Sequence, residues 1–393
     1  MTSDPFPRPV APLSVPSQTQ AGSFTLPIQF TGSGSEYFRI WIVNLLLIIV
    51  TLGIYFPWAK VRRLRYFHGN TLVDGHAMDF HGSPIKMLKG YLLVGLLFGL
   101  YSVAGQFSQV AGLVAFLVVA AIWPALLKSS MQFRLANTSW RGMRFAFKGS
   151  LGDAYRAILP IFAVGVFFLA ANIGMADPEP AVEPPMWWVA MILGVTLISV
   201  AVSPWLFWNF KRYQHDHYAL ASLQTTFTAT RGSFYKLGFK VIGISLLPLL
   251  LIGMLAAILI PATQGRGGPA GLAIFGALGL LTMLLVFVAA MPYITSRLQN
   301  LVWNGTSNRN LRFLSDLRFL PLLGLTLKNW VLIIITLGLY WPFAAIATAR
   351  MRLQAVQAQT REDPQDLVNR APSHEGDAAG EAGGDLFGFD IGL

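Results

Sequence analysis

The stretch PWAKVRRLRYFHGNTLVDGHAMDFHGS, residues 57–83, has a second copy in PALLKSSMQFRLANTSWRGMRFAFKGS, residues 124–150. Without a gap the two share Pro57/Pro124, Asn70/Asn137, Thr71/Thr138, Gly75/Gly142, Phe80/Phe147, Gly82/Gly149 and Ser83/Ser150. Self-similarity of this kind marks a chain built from repeated units. Each copy has the same physical logic. A proline near the end of an apolar run reshapes the last turn of a helix. A basic stretch follows, suited to lipid headgroups. Turn residues, Asp74-Gly75 or Arg141-Gly142, then precede alternating apolar positions, Met78 and Phe80 or Met143, Phe145 and Phe147. That alternation predicts a β-hairpin. A lone hairpin is marginal in water, so the hairpins are expected to pair into a small β-layer under the helices.

Looser copies begin at Pro204 and Pro292. The N-terminal region carries the same ending, with Phe24, Leu26, Ile28 and Phe30 alternating before Thr31-Gly32-Ser33. The first and last apolar segments also match: NLLLIIVTLGIYFPWA from Asn44 aligns with NWVLIIITLGLYWPFA from Asn329.

Outward from these units the composition is that of a membrane protein. The 393 residues are 54% hydrophobic and only 12% charged, against about 25% charged in soluble domains. Segments 38–59, 88–105, 107–127, 154–176, 186–208, 238–260, 270–294 and 322–347 each approach the roughly 20 apolar residues that cross a bilayer. The fold expected is an all-α polytopic membrane protein with about eight transmembrane segments built from internal repeats, carrying short cytoplasmic β-hairpins. Residues 1–22 read as a disordered Pro-rich tail, 23–350 as the membrane domain and 351–393 as an acidic Gly/Ala-rich tail. Simple crossing is the default for the first and last segments. A re-entrant path is the alternative, because the Phe30-x-Gly-Ser strand otherwise falls on the opposite side from its copies.

The net charge of +11 is concentrated in four loops, 60–89, 128–156, 211–240 and 297–328. Positive-inside bias places those loops in the cytoplasm. The basic residues are divided among four juxtamembrane loops, so nucleic acid is not an expected partner, and membrane lipid is. A protein partner on the cytoplasmic face is the further possibility. There are no cysteines, which excludes disulfides and thiol chemistry.

The block Asn-(x)6-Thr-Leu-Gly-Ile-Tyr-x-Pro-Trp-Ala, within residues 30–71, resembles the start of the YjgN-like family of bacterial inner-membrane proteins of unknown function. The resemblance extends, more weakly, to about residue 350. It implies a bacterial inner-membrane location and supplies no catalytic or ligand-binding residue.

Candidate polar positions inside the membrane are Asn44, Thr51, Asn329 and Thr336, where buried amides and hydroxyls need partners. Lys60, Arg62, Arg63 and Arg65 are candidate contacts for anionic lipid. His215-Asp216-His217 has a spacing that can bind metal, but nothing nearby in sequence completes a site. No metal, cofactor or enzymatic activity is expected. Two functions fit: transport of a small neutral, lipophilic or anionic solute, or a membrane scaffold that binds a protein or anionic lipid through its cytoplasmic face.

Overall fold

The computed structural model of the chain describes residues 23–173, 185–220, 223–262, 269–363 and 365–366. Of the two sequence-assigned tails, residues 1–22 and, within 351–393, residues 364 and 367–393 lie outside the described residues.

Strand formation follows from the alternating apolar positions, and they gather into one sheet. The strands are β1 (Phe24–Phe30), β2 (Thr71–Val73), β3 (His76–Phe80), β4 (Thr138–Trp140), β5 (Met143–Phe147), β6 (Tyr218–Leu220), β7 (Leu223–Gln224), β8 (Thr226–Phe227), β9 (Thr306–Ser307), β10 (Leu311–Ser315) and β11 (Val356–Thr360). Their order is β7-β6-β5-β4-β3-β2-β1-β11-β10-β9-β8, and every pairing is antiparallel. The two edge strands, β7 and β8, are therefore consecutive in the chain, separated only by Thr225. The sheet curls into a ring that the chain itself joins. Asn308 stitches the seam, its Nδ2 donating to the Gln224 carbonyl at 3.0 Å.

Curling explains the interior. Leu26, Trp140, Met143, Leu223 and Ala358 form one buried cluster, with Val73, Met78, Phe145, Leu220, Leu311 and Phe313 packed against it. Side chains from strands far apart in the sheet order meet because the inner face closes on itself. The hairpin turns fit this curvature. Asp74-Gly75 and Arg141-Gly142 all have positive φ, at 51°, 74°, 51° and 79°, the type I′ geometry whose twist matches antiparallel strands.

Helical arms rise from the ring at five places. Between β1 and β2 stand α1 (Gly34–Val50) and α2 (Phe56–Gly69), and between β3 and β4 stand α3 (Pro84–Phe107) and α4 (Gln109–Ala136). Between β5 and β6 lie α5 (Leu151–Ile158), a 3-10 turn (Leu159–Phe162), α6 (Ala163–Ile173) and α7 (Met186–His215). Between β8 and β9 lie α8 (Arg231–Ala262) and α9 (Pro269–Asn304), and between β10 and β11 lie α10 (Phe319–Ile335) and α11 (Trp341–Gln354). The strand-to-helix joint has a repeated shape. The rings of Phe30, Phe80 and Phe147 fold back over the glycine two residues on. A Cβ at Gly32, Gly82 or Gly149 would lie 2.7, 2.5 or 2.5 Å from that ring. The serine that follows caps the helix at Ser33 and Ser150, whose side chains accept from the Glu36 and Asp153 amides.

The expectation of an all-α fold with eight crossings is overturned on two counts. The sheet is a principal element of the fold, because the hairpins of successive units pair with one another and with both chain ends. Among the described residues, five helices are long and apolar enough to cross a membrane: Pro84–Phe107, Gln109–Ala136, Leu151–Ala171, Met186–His215 and Arg231–Leu255. Segment 270–294 lies in α9, where many side chains are outside the described residues. Segments 38–59 and 322–347 do not run through as single helices. They break at residues 51–55 and 336–340, and each returns to the ring, since β1 pairs β2 and β10 pairs β11. At about 1.5 Å per residue, the 14-residue α2 is about 21 Å long, short of the roughly 30 Å of hydrocarbon. These terminal units are thus shallow hairpins, and simple crossing is replaced by re-entry. Residues 351–360, placed in the C-terminal tail from sequence, end α11 and form β11.

A return to the ring puts both ends of each shallow hairpin on one side of the membrane. The cysteine-free chain allows a direct check with single Thr25→Cys and His76→Cys variants. A membrane-impermeant maleimide is expected to label both from the same side. Labelling from opposite sides would restore a crossing α1–α2 segment.

Candidate functional site: the shallow hairpin tips and the sheet–helix junction

Backbone amides in lipid must find partners within the protein. The tip of α1–α2 meets that demand completely. Thr51 N donates to Leu47 O, Leu52 N to Ile49 O, Gly53 N to Ile48 O, Ile54 N to Thr51 O and Phe56 N to Gly53 O, at 2.8–3.2 Å. The remaining amide, Tyr55 N, donates to the Thr51 hydroxyl at 3.0 Å, and Pro57 has no N–H to satisfy. The Thr51 hydroxyl gives its own proton to Leu47 O at 2.7 Å. The α10–α11 tip has the same bonds, with Thr336 donating to Leu332 O at 2.7 Å and accepting from Tyr340 N at 3.0 Å. Leu52 and Leu337 have φ of 50° and Gly53 and Gly338 of 92°. The Thr-Leu-Gly-x-Tyr-x-Pro pattern is therefore the chemistry of a self-satisfied turn. Leu52 and Leu337, 93% and 94% exposed, cover that turn with apolar surface. Thr51 and Thr336 both bond to the backbone of their own tips.

Asn44 and Asn329 are both buried, and each bonds within its own hairpin. Asn44 Oδ1 accepts from Arg62 Nη1 at 3.3 Å. Asn329 Nδ2 donates to Thr348 Oγ1 at 3.4 Å and to Ala344 O at 3.5 Å, while Asn329 Oδ1 has no partner among the described residues. No bond brings the two amides together. Of the four candidate lipid contacts, Arg62 is the one engaged with Asn44. Lys60 Nζ stands 5.7 Å from the Tyr91 ring centre and Arg63 Cζ 5.6 Å from that of Phe67, and Arg65 is exposed.

A second polar centre lies where the sheet-side ends of α7 and α9 meet the seam of the ring. His215 is buried, its Nδ1 2.9 Å from Thr306 Oγ1. Thr306 Oγ1 also donates to Val302 O at 2.7 Å. A hydroxyl has one proton, so with that proton on Val302 the imidazole Nδ1 carries a hydrogen and donates. Thr225, the residue that joins β7 to β8, donates its hydroxyl to His215 O at 2.6 Å. Beside this knot Lys211 is buried, and its Nζ donates to Gln214 Oε1 at 3.0 Å. Arg352 Nε donates to Gln299 Oε1 at 2.9 Å, and Gln299 Nε2 returns a bond to Arg352 O at 2.9 Å. Burial pulls the Arg352 guanidinium below its ordinary value, yet an arginine remains charged.

The His215-Asp216-His217 spacing does not converge on one point. His217 Nδ1 lies 2.8 Å from Tyr213 O, and Asp216 Oδ1 accepts from Phe227 N at 2.6 Å. Lys211, Arg134 and Arg352 were read from sequence as topogenic charge or left unassigned. A sequence signal for Lys211 did exist: a cation enclosed by aromatics in Phe207-Trp208-Asn209-Phe210-Lys211-Arg212-Tyr213. The pairing of Arg352 with Gln299 had none, because the ring brings together residues far apart in the chain.

The hydroxyl at each tip can be tested by an isosteric exchange. Thr51→Val removes the acceptor for Tyr55 N and is expected to cost ~2 kcal/mol or more, read as a lowered thermal midpoint of the purified protein in detergent. Thr51→Ser keeps the acceptor and is expected to stay near the parent. Equal midpoints for the valine and serine variants would show that the hydroxyl is dispensable.

The comparisons with known proteins agree with this membrane architecture. A family model described as "Bacterial protein of unknown function (DUF898)" matches residues 25–386. The inner membrane protein YjgN of Salmonella typhimurium is 26% identical over 364 residues, covering 86% of this chain and 90% of that protein. The inner membrane protein YjgN of Escherichia coli K12 is 29% identical over 178 residues, 44% of each chain. No solved structure matches. With long apolar helices, shallow apolar hairpins and these relatives, the chain is a multi-pass bacterial inner-membrane protein that belongs to the DUF898, YjgN-like family.

Proposed function

We propose that the protein is a carrier that moves a lipophilic or anionic solute, and membrane lipid itself most directly. The observation that carries this reading is the exposure of the long helices. In the most apolar eighteen-residue stretch of α7 no residue is buried by protein, and the buried share is 11% in α3 and 33% in α4. A helix that is apolar on all sides needs an apolar surround, and here lipid must supply it. Among the described residues α3 and α7 thus present their apolar surface to lipid along most of their length. A water-soluble neutral solute finds little support, because Asn44 and Asn329 bond within their own hairpins.

We further propose that the ring faces the cytoplasm, since the basic loops that bear the strands fit positive-inside bias. Equal tip geometry at Thr51/Thr336 and equal turn geometry at Asp74/Arg141 support an internal repeat, with the terminal units as shortened copies of the inner ones. The scaffold reading has one supporting observation, a cleft at the ring's far end lined by Phe24, Thr25, Asp74, His76 and Arg141, where a partner segment has room.

The full-length protein reconstituted in vesicles containing fluorescently tagged phosphatidylglycerol tests the carrier reading. Dithionite is expected to bleach more than the outer-leaflet label in vesicles that hold the protein. Bleaching equal to that of protein-free vesicles overturns lipid movement.

A further inference from the structure

We infer that the two shallow hairpins, α1–α2 and α10–α11, together form a wedge that enters only the leaflet on the ring's side, and that this wedge makes the protein favour membrane whose ring-side leaflet is convex. The partner of this surface is the near leaflet itself, its acyl chains and its anionic headgroups. The hairpins come from opposite ends of the membrane domain but pack as one body. The rings of Phe38 in α1 and Phe343 in α11 lie 5.8 Å apart, and a Cβ at Gly34 would collide with the Phe343 ring. Phe30, Tyr37 and Ile346 share one buried cluster. Arg350 Nη2 donates to Gly32 O at 2.8 Å, which ties α11 to the start of α1.

Charge fixes how deep the pair can go. Residues 40–59 and 329–349 hold no Asp, Glu, Lys or Arg, and each run folds back on itself at its turn. The charges that flank these runs stay at the headgroup level, because a charge in hydrocarbon is costly. At about 1.5 Å per residue, Arg62 stands about 9 Å from the start of α2 and Lys328 about 11 Å from the end of α10. Asn44, which accepts from Arg62 at 3.3 Å, lies about 10 Å from the turn along α1 on the same rise, so the two helices of that hairpin give the same depth. One leaflet offers about 15 Å of hydrocarbon, half of the bilayer core. The tips therefore end short of the midplane. Their side chains suit that place: Val50, Leu52, Ile54, Ile335, Leu337 and Leu339 are all exposed. Above them Arg62, Arg63, Arg65 and Lys328 are exposed at the level of anionic headgroups. Two hairpins thus add volume to the near leaflet and none to the far one. The expanded leaflet is relaxed by convex curvature, as with amphipathic helices that lie in one interface. This inference is independent of lipid movement and holds equally for a carrier or a scaffold.

The test places the full-length protein in giant vesicles of phosphatidylcholine and phosphatidylglycerol, from which narrow membrane tubes are pulled. A single His76→Cys, reacted from outside with a membrane-impermeant fluorescent maleimide, marks only the molecules whose ring faces outward, for which the tube is convex on the ring's side. That population is expected to be several-fold denser, per lipid, on the tube than on the vesicle wall. Leu52→Ser combined with Leu337→Ser shortens the apolar reach of both tips at positions 93% and 94% exposed, and is expected to lose most of the enrichment. Equal density on tube and wall, or undiminished enrichment in the double variant, overturns the wedge. Depth is read separately, so the inference does not hang on one variant. A spin label on Leu52→Cys or Leu337→Cys is expected to collide with dissolved oxygen, to avoid a water-soluble nickel chelate and to lie short of the bilayer midplane. A label at or beyond the midplane, one open to the chelate, or one shielded from oxygen by a second copy or another protein overturns it as well.

Discussion

Hydrogen-bond closure of the backbone is the constraint on which this structure depends. An unpaired amide in lipid costs several kcal/mol, and an unpaired strand edge invites association with other chains. The protein meets both demands by closure. The sheet returns to its own start, so that its two edges become neighbours across Thr225. The shallow hairpins turn in the apolar layer with every tip amide bonded, the last by a threonine hydroxyl. Without ring closure, the two-residue strands β7, β8 and β9 would have little to hold them.

Closure also decides the placement of charge. The second helix of each unit runs back toward the ring, so basic residues that follow the apolar stretch arrive near a common level. Most reach the rim, as Arg65 does. Lys211 is instead drawn inward, 3% exposed, where α7 ends against the seam. Evolution ordinarily pairs such charges or removes them. Among the described residues Lys211 bonds instead to the neutral Gln214.

Much of this was legible in the chain. The doubled stretch 57–83 and 124–150 announced hairpin-bearing units, and its Asp-Gly and Arg-Gly turns adopt the hairpin geometry their residues favour. Membrane residence followed from composition. The matching blocks at Asn44 and Asn329 correctly pointed to equivalent local structures, but not to their path. Segment 38–59 has the length and apolarity of a crossing helix, and the turn at Thr51-Leu52-Gly53 is compatible with either route. Only the pairing of β1 with β2 forces the return. Asn44 and Thr51 stand out in the sequence as polar positions in an apolar run, but their partners, Arg62 and the Leu47 carbonyl, are set by the turn of the hairpin.

The sequence by itself determined the local vocabulary: which residues are apolar enough for lipid, where strands alternate, which glycines permit a ring to fold over them and where turns fall. These are properties of neighbours along the chain, set by side-chain size, hydration and backbone dihedral preference. Only the tertiary structure decided that the hairpins form one ring, that the terminal segments re-enter, and that His215 meets Thr306 at the seam. Each of those depends on bonds or fields between residues distant in sequence, and their strength is set by burial that exists only after the ring has closed.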